Sequence, residues 1–245
     1  MSRTRLGVIV PSGNTLLEPE LTGLGLDGVS FHFSRICNYQ DTEEELAAMQ
    51  DEAPYAAELL SHAGVSAVAF GCTGGSFLKG YGYDEQVKAR IEERASVPAT
   101  TTSSAVVAAL SALGARKVTL FTPYQEWLTE RGERFLQGRG FEVLSRSFLS
   151  ITDPLAMVEM PGEEIANWAA PQVAKGSDAV FISCTCFRGM EAIAQLEDEL
   201  GIPVVTSNQA TVWQLLDMVG RPTALPGFGR LLDGSVRARP AVADA

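Results

Sequence analysis

Two segments of this chain, 112 residues apart, end in the same way. Ala67-Val68-Ala69-Phe70-Gly71-Cys72-Thr73 and Ala179-Val180-Phe181-Ile182-Ser183-Cys184-Thr185 each begin as an apolar run and close on Cys-Thr. The same offset carries Val10-Pro11 onto Thr122-Pro123. Short apolar runs bounded by small residues read as buried strands. Two strand ends that recur at one interval point to a duplicated α/β lobe. The expected fold is therefore α/β, with two pseudo-twofold-related lobes, each a mostly parallel sheet flanked by helices. Facing lobes would set Cys72 and Cys184 on opposite walls of one cleft, where the active site is expected.

The rest of the pattern agrees. Strands are expected at Leu6–Val10, Val29–Ser34, Ala67–Phe70, Ala99–Thr101, Val118–Thr122, Glu142–Ser147, Ala179–Ser183 and Val204–Thr206. Helices are expected at Glu43–Ala63, Asp84–Ala95, Ser103–Leu113, Gln125–Arg139, Gly162–Lys175, Gly189–Leu200 and Thr211–Val219, from apolar residues at three- and four-residue spacing. Strands alternating with helices define the α/β class. Residues 1–114 form the expected N-terminal lobe and 115–236 the C-terminal lobe, joined near Gly114-Ala115-Arg116-Lys117; 237–245 read as a flexible tail.

Composition narrows the function. A formal charge of −11 argues against a nucleic-acid surface, which needs clustered Lys and Arg. No apolar run approaches the roughly 18 residues of a membrane helix. The N-terminus runs straight into Leu6–Val10 with no secretory leader. The four cysteines then read as reduced thiols in a cytoplasm. Two histidines, His32 and His62, are too few for a three-His zinc site and argue against a Ser-His-Asp triad. No metal and no cofactor are expected. Gly74-Gly75 fits neither phosphate-binding glycine pattern.

In parallel sheets, ligands bind beyond the carboxyl ends of the strands. Ser12, Asn14, Thr73, Tyr124, Thr185 and Asn208 all fall at such ends and are the candidate substrate-binding residues. These polar segments suit a carboxylate. Cys72 and Cys184 are the candidate catalytic pair. A cysteine after an apolar run is usually a small buried hydrophobe; the shared offset and shared threonine favour chemistry instead. Cys37 reads as structural and Cys186 as packing or tuning beside Cys184. Asp153 and Glu43-Glu44-Glu45 read as cap and solvated-face residues. Thiolates are good bases and nucleophiles, and strand-end amides are expected to lower their pKa. One thiolate and one thiol across a cleft support proton transfer on two faces of a carbon, or addition to an alkene followed by elimination.

These motifs resemble the aspartate/glutamate racemase superfamily, in its maleate cis-trans isomerase and arylmalonate decarboxylase branch. The resemblance spans nearly the whole chain. It rests on Gly7-Val8-Ile9-Val10-Pro11-Ser12-Gly13-Asn14-Thr15, Gly71-Cys72-Thr73, Thr122-Pro123-Tyr124, Ser183-Cys184-Thr185, Ser207-Asn208-Gln209-Ala210 and Pro226-Gly227-Phe228-Gly229-Arg230-Leu231-Leu232-Asp233. It implies that Cys72 adds to the maleate double bond and that Cys184 protonates the neighbouring carbon. Asn14, Tyr124 and the amides near Thr73 and Thr185 would hold the carboxylates, and the assembly would be a homo-oligomer. The decarboxylases of this branch have Gly where Cys72 stands. Pro154 departs from the isomerase pattern, which places a carboxylate-holding Asn there, so a different acid stays open. The implied activity is cis-trans isomerisation of a small dicarboxylate, maleate to fumarate. The alternatives are racemisation or decarboxylation of a substituted malonate or other α-substituted carboxylic acid, and a non-catalytic protein that binds small acids.

Overall fold

In a computed structural model, residues 3–221 and 224–236 are described. The strands are β1 (Thr4–Pro11), β2 (Val29–Ile36), β3 (Ala67–Phe70), β4 (Ala99–Thr101), β5 (Lys117–Thr122), β6 (Glu142–Phe148), β7 (Ala179–Ile182) and β8 (Val204–Thr206). They form two four-stranded parallel sheets, ordered β2-β1-β3-β4 and β6-β5-β7-β8. β3 and β7 are buried along their whole length, as strands covered on both faces must be.

The duplication holds at the level of single pairs. β1 meets β3 at Leu6↔Ala67 through Ile9↔Phe70, and β5 meets β7 at Val118↔Ala179 through Phe121↔Ile182. Each residue of the second set lies 112 positions after its counterpart in the first, as 118 − 6 and 179 − 67 show. The turn bonds repeat too: Gly71 N donates to Ile9 O (2.7 Å) and Ser183 N to Phe121 O (2.8 Å).

The helices are α1 (Leu17–Gly23), α2 (Glu43–His62), α3 (Thr73–Phe77), α4 (Tyr83–Ala95), α5 (Thr102–Ala112), α6 (Glu126–Gly138), α7 (Pro154–Glu159), α8 (Gly162–Ala169), α9 (Gly189–Leu200) and α10 (Ser207–Met218). Thr101 caps α5 by accepting from Ser104 N, and Thr206 caps α10 by accepting from Gln209 N. These two helices follow the last strand of each sheet and pack on each other, joined by the Thr102 and Thr211 hydroxyls at 3.0 Å.

Three short helices were not expected: α1, α3 and α7. α8 stops at Ala169, where Pro171 lacks the N–H an α-helix requires and a 3-10 turn takes over, so the helix does not reach Lys175. α10 starts at Ser207, four residues before the expected Thr211, because Thr206 and Gln209 form a capping box there. The expected tail, 237–245, lies outside the described residues.

Candidate active site

Each candidate cysteine leaves the end of a central strand. Beyond β3, a Cβ on Gly71 would meet Ile9 O at 2.8 Å and Leu17 Cδ2 at 2.6 Å, so only glycine lets the chain turn so close to β1 and α1. Cys72 follows in an extended conformation and caps α3, its Sγ accepting from Gly75 N at 3.3 Å. Beyond β7, Ser183 replaces glycine, and its hydroxyl donates to Tyr124 Oη at 3.3 Å. Cys184 then takes φ of +101°, a region a non-glycine residue occupies only under constraint. Its backbone N donates to Ser207 Oγ (3.0 Å), and its Sγ accepts from Cys186 N (3.2 Å).

The threonine after each cysteine crosses to the other lobe. Thr73 Oγ1 donates to Ser207 Oγ at 2.9 Å, and Thr185 Oγ1 donates to Gly71 O at 3.1 Å. Asn14 Nδ2 donates to Thr185 Oγ1 (3.0 Å), while its Oδ1 accepts from Leu16 N and Leu17 N. Both threonine hydroxyls are thus spent on holding the lobes together. Asn14 keeps one amide hydrogen for a ligand.

A small cavity lies between these strand ends, lined by both Cys72 and Cys184. Asn14, Thr73, Tyr124 and Thr185 also line it. Ser12 and Asn208 do not. Ser12 is exposed and ties the loop together, donating to Asn38 O and accepting from Asn38 N. Asn208 lies behind the wall, where its Nδ2 donates to Glu20 Oε2 (2.6 Å) and Thr185 O (3.1 Å). Cys37, read as structural, is exposed and free. Cys186 lines the cavity and tunes Cys184 through its N–H. Asp153 caps α7, accepting from Leu155 N.

Three lining residues escaped the sequence reading: Asn38, Asp41 and Leu128. Asn38 and Asp41 belong to the loop between β2 and α2. A polar Asn38-Tyr39-Gln40-Asp41-Thr42 run before a helix reads as a turn and cap, which hides any second role. Among the described residues, no group of His, Cys, Asp and Glu is arranged to hold a metal ion.

Burial reverses the expectation for the thiols. It pushes Cys72 well above the ordinary thiol range, and the negative charge of Asp41 adds to it; the N–H groups of Gly75 and Gly74 offset only part. Cys184 is raised likewise, first by burial and then by Cys186 and Asp41. Cys186 is pushed up to about 11, again by burial. Tyr124 is raised well above its usual value by burial, so it stays a hydroxyl donor. Glu20, behind the cavity, is pushed up to about 7 by burial, against the opposing hydrogen bond from Asn208.

Two facing parallel α/β sheets with a cysteine from each at one cavity define a class of protein built for two-sided chemistry on a small acid. The family model for arylmalonate decarboxylase matches residues 6–232, and the chain belongs to that family. A maleate isomerase from Pseudomonas putida is 32% identical, with 94% of this chain and 98% of the relative covered. An arylmalonate decarboxylase from Bordetella bronchiseptica is 31% identical, covering 93% and 92%. Among solved structures, a Nocardia farcinica maleate cis-trans isomerase variant, a cysteine-to-serine mutant with a covalently bound succinylcysteine intermediate, superposes with a TM-score of 0.89 at 27% identity. It covers 95% of this chain and 99% of that one.

Proposed function

We propose that this chain is a cofactor-independent cis-trans isomerase of a small unsaturated dicarboxylate, with maleate to fumarate as the reaction to test first. The observation that carries the reading is the presence of both Cys72 and Cys184 in one cavity. A single thiol would serve a decarboxylase; a second has work to do when a carbon–carbon double bond must be opened and closed.

The chemistry follows from the two sulfurs' surroundings. Cys72 reacts after losing its proton to water, and the N–H groups of Gly75 and Gly74 favour the thiolate against the burial that opposes it. Its sulfur forms a C–S bond to one alkene carbon. The displaced electron pair moves to the neighbouring carbon and spreads into the attached carboxylate. Asn14, with its remaining amide hydrogen, and Tyr124, whose hydroxyl turns from Cys184 to the substrate, stabilise that charge; donors of this kind are typically worth a few kcal/mol. Cys184 gives its proton to the carbon. Its raised pKa suits it to hold a proton until one is demanded. The former double bond, now single, turns. Cys184 thiolate takes a proton back, the double bond re-forms, and the C–S bond breaks to return Cys72.

The test is proton NMR of maleate with the enzyme. Fumarate should accumulate, and Cys72→Ser or Cys184→Ser should each lower kcat by several orders of magnitude with little change in binding. Affinity unchanged with no turnover by the unaltered protein would favour a binding protein. A second reading, decarboxylation or racemisation of a substituted malonate or other α-substituted carboxylic acid, draws on the family match and the decarboxylase relative. Phenylmalonate in deuterium oxide separates decarboxylation, since a decarboxylase would release deuterated phenylacetate and an isomerase would leave the acid unchanged. The same proposal takes 1–114 and 115–236 as the two lobes, a homodimer as the assembly and the cytoplasm as the compartment. Four free cysteines support the last point, and no helix among the described residues is long and apolar enough to cross a membrane.

A further inference from the structure

The polar groups lining the cavity are of two kinds. Asn14 and Tyr124 can donate to a bound anion. Ionised Asp41 can only accept, and Asn38 adds an unpaired carbonyl oxygen, one of its two amide hydrogens being held by Asp41. Asn38 is 2% exposed; its Nδ2 donates to Asp41 Oδ1 at 2.7 Å, and its Oδ1 is buried without a partner. The amide cannot turn round, because that would press Oδ1 against the carboxylate of Asp41. Asp41 is held in the left-handed region at φ +50°, which fixes it beside Asn38. Pro154 on the same lining has no N–H to offer, and its carbonyl oxygen already accepts from Cys186 Sγ at 3.4 Å.

No Lys, Arg or His appears among the described residues lining this cavity or the adjoining chamber that shares Asp41, Tyr124 and Leu128 with it. A diacid with both carboxylates ionised would therefore set its second charge near Asp41 with no cation to neutralise either. It would also leave the Asn38 oxygen unpaired, a cost buried polar atoms do not bear lightly. A ligand with one carboxylate and one N–H or O–H donor meets neither penalty.

We propose that Asp41 and Asn38 form a donor-reading pole of the cavity, so that the substrate is a half-ionised cis-unsaturated diacid or its mono-amide. One carboxylate lies on Asn14 and Tyr124, and the amide or un-ionised carboxyl group donates to Asp41 and the free Asn38 oxygen. This deepens the isomerase reading and rests on it for the reaction, but not for the preference in binding.

Two acids test it: maleate and its mono-amide, at about pH 8, where both carboxyls of the diacid are ionised. Affinities are measured by calorimetry on the Cys72→Ser variant, and kcat/KM on the unaltered enzyme. Both measurements are repeated with Asp41→Asn added. Asn is the non-glycine residue that best tolerates a positive φ, so this variant keeps the loop. The mono-amide should bind and react about 10- to 100-fold better than the diacid. Asp41→Asn should shrink that ratio about ten-fold or more, chiefly by improving the diacid. Equal affinities in the Cys72→Ser variant, a ratio untouched by Asp41→Asn, or binding of neither acid would overturn the proposal. If the affinity ratio stands but neither acid is isomerised, the isomerase reading fails and the pole survives.

Discussion

Gly71 and Ser183 stand at the same place in the two lobes and do different things there. Gly71 is small because β1 and α1 leave no room for a Cβ. Ser183 has room, and uses it to hold the hydroxyl of Tyr124. The same divergence separates the cysteines. Cys72 sits in relaxed extended backbone under a helix start, whereas Cys184 is held at positive φ and bonded by the N–H two residues on. The backbone thus gives the two sulfurs different surroundings. Glu20 gives a pH-dependent prediction at this scale. Its ordinary value near 4.5 rises to about 7 in the fold, so between these the folded protein holds a proton that the unfolded chain has lost. Stability contributed below the lower value is lost as pH climbs through the upper one, on the order of 2–3 kcal/mol in all. Urea unfolding at intervals from roughly pH 5 to 8 should show this decline, and Glu20→Gln should flatten it relative to the unaltered chain.

The elements show what was readable from the chain alone. All eight strands are where the sequence put them: β3 and β7 read as continuous apolar runs because they are covered on both faces, whereas the outer β2 and β6 mix polar residues into half-buried strands. The short helices were not readable. α3 consists of Thr73-Gly74-Gly75-Ser76-Phe77, which has poor helix propensity and forms because Cys72 caps it and α2, α4, α5 and α6 pack around it. The first turn of α10 was mistaken for loop, since Ser207, Asn208 and Thr206 are turn-formers as often as caps. That mistake explains Asn208, which is a helical residue bonded behind the wall and not a lining one. Asp41 was missed for the same reason in a loop. A pair of caps tests how far an element controls the site. Thr101→Ala and Thr206→Ala each remove one capping bond and should each cost about 1 kcal/mol of stability. Only Thr206→Ala should also lower kcat clearly, because it loosens Ser207, which anchors the backbone of Cys184 and the hydroxyl of Thr73. Equal kinetic losses from both would mean that α10 does not position the sulfur.

At the scale of the molecule, two copies of one sheet topology meet at the carboxyl ends of their strands, and the site lies at the seam. Hydrogen bonds stitch that seam: Thr73 to Ser207, Asn14 to Thr185, Thr185 to Gly71, Thr102 to Thr211 and Asn208 to Glu20. Most are buried and link residues more than a hundred positions apart, so they form only when both lobes are folded and docked. They spend side chains that the sequence offered as ligands for substrate. What they leave is a small cavity with two thiols, a few donors and the Asp41–Asn38 pair. The account stands or falls on those thiols acting on one molecule. Intact-mass and peptide-mapping spectrometry of the Cys184→Ser variant, incubated with maleate and with its mono-amide, measures this directly. The account predicts a mass increase equal to the added acid, carried on Cys72 and absent when Cys72 is also replaced by serine. An adduct on Cys37 or Cys186 instead, or none on Cys72 with either acid, would contradict it.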